Sequence, residues 1–141
     1  MYAFEIEKPS TIADAVLALS GEDTQALGGG QTLIPTLKQR LAAPEVLVSL
    51  SGVSEMVGIC RNDAGEMCIG GATTHAAVAA GAGAFPALAA LASHIGDPAV
   101  RNRGTIGGSL ANNDPSACYP AAALSAGATI KTNTRDIAAD D

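Results

Sequence analysis

Two glycine-rich runs hold the residue types best suited to binding chemistry. Gly28-Gly29-Gly30-Gln31-Thr32 follows a β-type segment and opens a helical one. Consecutive glycines let backbone N–H groups converge on one anion, and a helix start adds a favourable field. A diphosphate suits such a nest. No lysine follows the glycines, so this is not a P-loop, and the spacing is not that of the GxGxxG dinucleotide fingerprint. Taken alone, the run is equally well explained as a tight turn that needs positive φ. The second run, Gly104-Thr105-Ile106-Gly107-Gly108-Ser109, adds two hydroxyls. Arg101 and Arg103 precede it, and Asn112, Asn113 and Asp114 follow. Two such loops about 75 residues apart suggest one phosphate-bearing ligand held between two subdomains.

The remaining candidates are weaker. Arg101 and Arg103 could meet phosphate, but ion pairing with Asp97 or Asp114 is the commoner role for such residues. Asp114 could accept hydrogen bonds from ribose or ribityl hydroxyls, or cap a helix. His75 reads as a helix or packing residue. His94 is better placed near a site, yet no histidine context marks a nucleophile or triad. Cys60, Cys68 and Cys118 lack the spacing of zinc or iron–sulfur ligands. Cys60 and Cys68 flank a candidate hairpin and could face each other; in a reducing compartment they act as small apolar side chains. No catalytic side chain and no metal ligand is therefore assigned, and any redox chemistry must come from an organic cofactor.

Composition narrows the class. The chain has 141 residues, 14 acidic and 8 basic, for a net charge of -6. That balance disfavours nucleic acid as a partner. It is 48% hydrophobic, too apolar for disorder, and has no apolar run that reaches the ~20 residues needed to cross a bilayer. The first ten residues are acidic and alternating, unlike a signal or transit peptide. Alanine and glycine supply 45 residues. Such side chains bury little area, so the core is expected to be thin and to lean on a ligand, a partner or further chain.

The elements that would position the loops can be read from periodicity. Tyr2, Phe4 and Ile6 alternate with polar residues as a half-buried strand. Ser10 or Thr11 caps a helix to about Leu19. Thr24–Leu27 and Val46–Leu50 read as strands on either side of a helix capped by Thr32, with Leu33, Leu37 and Leu41 on its buried side. These strands alternate with helices, which predicts a small, mostly parallel layer. Val57–Arg61 and Glu66–Ile69 read as a hairpin, with helices over 73–80 and 85–93 after it. Residues 94–120 show little periodicity. A helical turn at 121–125 and a strand at 128–132 follow, and 135–141 has no evident pairing partner.

GGGQTLIP at 28–35, IGGATTH at 69–75 and IGDPAVRNRGTIGGSLANNDPSACYPAAAL at 95–124 resemble the FAD-binding medium subunits of molybdenum hydroxylases, of the carbon monoxide dehydrogenase and xanthine dehydrogenase types. The resemblance implies an α+β fold, the two-subdomain FAD-binding fold of the vanillyl-alcohol-oxidase-like (PCMH-type) class, truncated in its second subdomain. It implies an α/β subdomain over 1–52 and an incomplete second subdomain over 53–141. It also implies that Gly28, Gly29, Gly30, Gln31 and Thr32 wrap the FAD diphosphate from one side, and that Thr105, Ile106, Gly107, Gly108 and Ser109 do so from the other. Ile95 would lie against the flavin nucleotide, and Thr105 would hydrogen-bond it. The family usually has an FAD-contacting aspartate where this chain has Cys118, a loss for which Asp114 could compensate, and its members run to roughly twice this length. The implied role is electron transfer from a small subunit with two [2Fe-2S] clusters, within a complex whose large molybdopterin subunit oxidises substrate, to quinone, NAD or oxygen. The implied location is the cytoplasm, at the inner membrane face where the complex reaches it. An assembly fragment that docks without flavin is the alternative. A stand-alone flavin oxidase is disfavoured, because the 95–124 segment resembles the molybdenum hydroxylase branch.

Overall fold

The structure, a computed structural model, describes residues 1–141. Its first layer is a three-stranded parallel sheet of β1 (Glu5–Glu7), β2 (Thr24–Leu27) and β3 (Val46–Ser49), with β3 in the centre. Ile6 and Gln25 both pair with Leu47, so all three strands run to the same end of the sheet. Leu47 and Val48 are fully buried, as a central strand covered on both faces requires. Helix α1 (Ile12–Ala18) packs on β3 and starts at Thr11, whose Oγ1 accepts from Asp14 N at 3.1 Å. The Glu55 carboxylate also accepts from Ile12 N at 2.8 Å, placing negative charge at the positive end of α1.

Two expectations for this layer change. β1 covers Glu5–Glu7, and all three residues are exposed. It is an edge strand, and Ile6 is not covered. Helix α2 (Leu33–Lys38) ends before Leu41, because Arg40 adopts φ 60 and turns the chain away. Only Leu37 of the expected apolar stripe is buried, and Leu41 is exposed. Thr32 occupies the cap position, but its side chain makes no capping bond.

The second layer begins with a 3-10 turn at Ser54–Met56, then the antiparallel hairpin of β4 (Ile59–Arg61) and β5 (Met67–Ile69). Asn62 Oδ1 accepts from Glu66 N, and Gly65 takes φ 82, which completes the turn. Helices α3 (His75–Gly81) and α4 (Pro86–Ser93) pack as a pair. Val78, Ala82, Leu88, Ala92 and Tyr119 form the core there, with Ile59, Met67 and Ile69 of the hairpin against it.

The aperiodic stretch contains two helices that periodicity did not reveal. These are α5 (Pro98–Arg101) and α6 (Ile106–Asn112), followed by α7 (Cys118–Ser125), which starts earlier than expected. Their signal lies in caps: Asp97 before Pro98 accepts from Val100 N, and Thr105 accepts from Gly108 N. The last residues also find a partner, since β7 (Asp136–Ala138) pairs antiparallel with β6 (Thr129–Lys131). Only 15 residues are buried, which agrees with the thin core expected from so much alanine and glycine.

Candidate functional site

The parallel sheet delivers its strand ends to one place. β2 ends at Leu27 and runs straight into Gly28; β3 ends at Ser49, just before Ser51. Carboxyl ends of parallel strands are where ligands sit in open α/β sheets. A cleft of about 200 Å³ opens there. Gly28, Gly29 and Ser51 line it from the first layer, and Ala72, Thr74, Asn102, Arg103 and Thr105 from the second.

Glycine is required where these walls meet. A Cβ on Gly29 would run into the Arg103 carbonyl oxygen and lie 2.5 Å from Gly104 Cα. A Cβ on Gly28 would lie 3.1 Å from Thr105 Oγ1. The two glycine loops, far apart in sequence, are thus in direct backbone contact.

Their hydrogen bonding differs. The main-chain N–H groups of Gly28, Gly29, Gly30, Gln31 and Thr32 donate to nothing within the chain. In contrast, Ile106 N donates to Thr73 O at 3.1 Å, Gly107 N to Gly71 O at 2.9 Å, Gly108 N to Thr105 Oγ1 and Ser109 N to Thr105 O. The second loop is therefore a capped helix start stitched to residues 71–73, with only Thr105 N free. Thr74 and Thr105 form an antiparallel bridge and place the first turns of α3 and α6 beside each other at the cleft. Both helix starts direct positive field there.

Charge agrees with this polarity. Arg103 is the only ionisable residue on the cleft wall, and it has no ion-pair partner in the chain. The expected pairing of Arg101 and Arg103 with Asp97 or Asp114 does not occur. Arg101 instead donates to the carbonyls of Ile95 and Gly96, at 3.3 and 2.8 Å, and the sole ion pair joins Lys131 and Asp136. Free amides, helix starts and an unpaired guanidinium describe an anion site. A larger hollow, about 410 Å³, opens where β2 begins and is lined by Asp23, Thr24, Gln25, Ala42, Ala43 and Pro44. It has a carboxylate and no cation, so it does not suit the same ligand.

Other predicted residues fall at different depths. Ile95 and Ile106 pack partly on the second core. Ser109 is half-buried in α6. Asp114 lies outside the cleft wall, with Oδ1 accepting from Ser116 N at 2.8 Å and Ser116 Oγ at 2.7 Å. Those bonds, led by the backbone one, hold its carboxyl below the usual value. Cys118, where the resembling family has aspartate, is exposed at the start of α7.

His75 is a packing residue, as expected, and supports the cleft from beneath. It is buried, its N donates to Gly104 O at 2.9 Å, and a Cβ on Gly104 would lie 2.5 Å from its Nε2. Burial lowers its basicity, so the ring is neutral at pH 7. Tyr119 lies 5.3 Å away, ring centre to ring centre. Burial first, and Cys118 second, push its phenol up to about 12. Ser51, Val57 and Ala77 line the cleft without any sequence signal; Ala72, Thr74 and Asn102 fall inside the long motifs.

Comparison with known proteins places this arrangement. The medium chain of carbon monoxide dehydrogenase from Afipia carboxidovorans is 43% identical over 124 residues, covering 84% of this chain and 43% of that one. The nicotine 6-hydroxylase medium subunit of Paenarthrobacter nicotinovorans is 35% identical, covering 99% of this chain and 52% of that one. A crystal structure of cyanide-inactivated Cu,Mo-CO dehydrogenase superposes with a TM-score of 0.92 at 38% identity, over 99% of this chain and 52% of the other. The chain thus spans about half the length of the relatives it matches, and its fold is the PCMH-type FAD-binding fold. Residues 2–140 match the family described as the FAD binding domain in molybdopterin dehydrogenase, and the chain belongs to that family.

Proposed function

We propose that this chain holds the diphosphate of FAD in the medium subunit of a molybdenum hydroxylase complex, and that the subunit passes electrons from iron–sulfur clusters to quinone, NAD or dioxygen. The observation that carries the reading is the row of five unpartnered amides, Gly28–Thr32, which begins on the cleft wall at Gly28 and Gly29, beside Arg103 and Thr105, the cap of α6. When bound, FAD supplies the redox chemistry. The protein's residues bind and orient. The amides of Gly28, Gly29, Gly30, Gln31 and Thr32 would donate to phosphate oxygens, and Arg103 would neutralise their charge. Thr105 N would donate from the opposite wall, and Ser109, one turn further along α6, would add its hydroxyl; Gly107 lets α6 pack on Gly71, and Gly108 leaves room for Thr105 Oγ1. Ile95 and Ile106, which pack partly on the second core, would back the nucleotide from that layer. Asp114, outside the cleft wall, would meet a ribityl or ribose hydroxyl through Oδ2, since Oδ1 accepts from Ser116. No side chain acts as acid, base or metal ligand.

The partners in this reading are a small subunit with two [2Fe-2S] clusters and a large molybdopterin subunit, in the cytoplasm or at the inner membrane face. No helix is long and apolar enough to cross a membrane. In this reading the chain divides into subdomains 1–52 and 53–141, and the cleft, lined by residues of both ranges, lies between them. A docking fragment without flavin is the competing reading. In its favour are exposed large apolar side chains, Leu17 and Leu41 foremost. Purification after expression with added FAD separates the two. A bound flavin spectrum at up to one per chain supports the first reading, and a colourless chain that still co-purifies with partner subunits supports the second.

A further inference from the structure

The two cysteines of the β4–β5 hairpin are opposite each other in register: Cys60 pairs with Cys68. Side chains of directly opposed residues share one face. Ile59, Met67 and Ile69 turn toward the core, so the alternating Cys60 and Cys68 point away from it. Cys60 is exposed and Cys68 half-buried. The hairpin is closed at both ends, by Asn62 N to Glu66 O at 3.0 Å and Gly70 N to Gly58 O at 2.9 Å. Alternation from those pairs makes Cys60 and Cys68 a hydrogen-bonded pair, whose Cα atoms lie about 5.5 Å apart. That is inside the ~4.4–6.8 Å range of disulfides, but the Cβ atoms are about 1 Å too far apart for an unstrained one. A bridge here forms with a small tightening of the strands and is easily reduced.

We propose that Cys60 and Cys68 are a reversible oxidation site that closes to a cross-strand disulfide under hydroperoxide. The more exposed thiol, Cys60, attacks the peroxide O–O bond and becomes a sulfenic acid, releasing one water. Cys68 then attacks that sulfur; the S–S bond forms and the hydroxyl leaves as a second water. Two thiols are oxidised and one hydrogen peroxide is reduced to two waters. Cys118 sits in α7 with no cysteine opposite it and serves as the internal control. The hairpin leads into the cleft wall, because Thr73 Oγ1 accepts from Gly58 N at 2.9 Å and donates to Gly58 O. The bridge therefore staples an element that the anion site is built on.

The test treats the full chain with one equivalent of hydrogen peroxide, followed by thiol titration and peptide mass mapping without reduction. Free thiols are expected to fall from three to one per chain, with a Cys60–Cys68 cross-linked peptide and full recovery in dithiothreitol. Cys60→Ser and Cys68→Ser should each abolish the cross-link while Cys118 stays free. Three remaining thiols, an intermolecular dimer, a cross-link through Cys118, or sulfinic acid at Cys60 without a bridge would each overturn the proposal.

Discussion

Arg103 and Gly29 meet at the contact between the two loops and do different work there. Arg103 brings the only charge to the cleft wall, and its guanidinium has no internal partner to lose. Replacing it with glutamine should weaken FAD binding about tenfold, the worth of a charge-assisted hydrogen bond, and leave the urea midpoint unchanged. Fluorescence titration of FAD at two salt concentrations checks this, since the variant should also lose part of the salt dependence. Gly29→Ala is a different kind of change. Its Cβ meets backbone, which cannot swing aside, so the loops must part. Both flavin binding and stability should fall, the latter by about 1–3 kcal/mol in urea unfolding. His75 gives a pH signature. Its folded pKa is depressed below 6.5 by burial, so the unfolded chain binds more protons below that value. Its contribution is therefore present above pH 6.5 and is lost as pH falls from 6.5 toward the folded pKa. Comparing urea midpoints of the wild type and His75→Gln between pH 5.5 and 7.5 should show a flatter slope in the variant.

Elements fix where these residues go, and β3 is central to the first layer. Leu47 is fully buried between β1 and β2, so Leu47→Ala should cost about 2–5 kcal/mol, measured by chemical denaturation. Alternation and caps made β2, β3, α1, α3, α4 and the hairpin legible in sequence, because each carries a run of apolar spacing or a turn signal. Helices α5 and α6 did not show, because α5 is only four residues long and α6 carries just Ile106 and Leu110 as large apolar residues among small ones; only Asp97-Pro98 and Thr105 mark their starts. Leu41 misled for another reason. The apolar spacing continues past Lys38, but Arg40 turns the backbone left-handed and ends α2. The glycine loops were legible as nests, yet their difference was not. Gly108 and Ser109 bond locally to Thr105, but that Ile106 and Gly107 spend their amides on Thr73 and Gly71 while Gly28–Thr32 leave theirs free depends on long-range pairing that no local pattern encodes.

At the scale of the molecule, two thin layers share a boundary lined by backbone amides and one cation. The chain spans about half the length of its relatives and has 15 buried residues, so ligand binding should contribute visibly to its stability by linkage. In the proposed reading the diphosphate, rather than the flavin ring, is what this chain grips. That reading is tested most directly by titrating the chain with FAD and with riboflavin, in the presence and absence of adenosine diphosphate. Saturable binding of FAD, displacement by adenosine diphosphate, and riboflavin binding at least about tenfold weaker are expected, as loss of charge-assisted phosphate contacts implies. Riboflavin binding as tight as FAD, or FAD binding untouched by adenosine diphosphate, would contradict it.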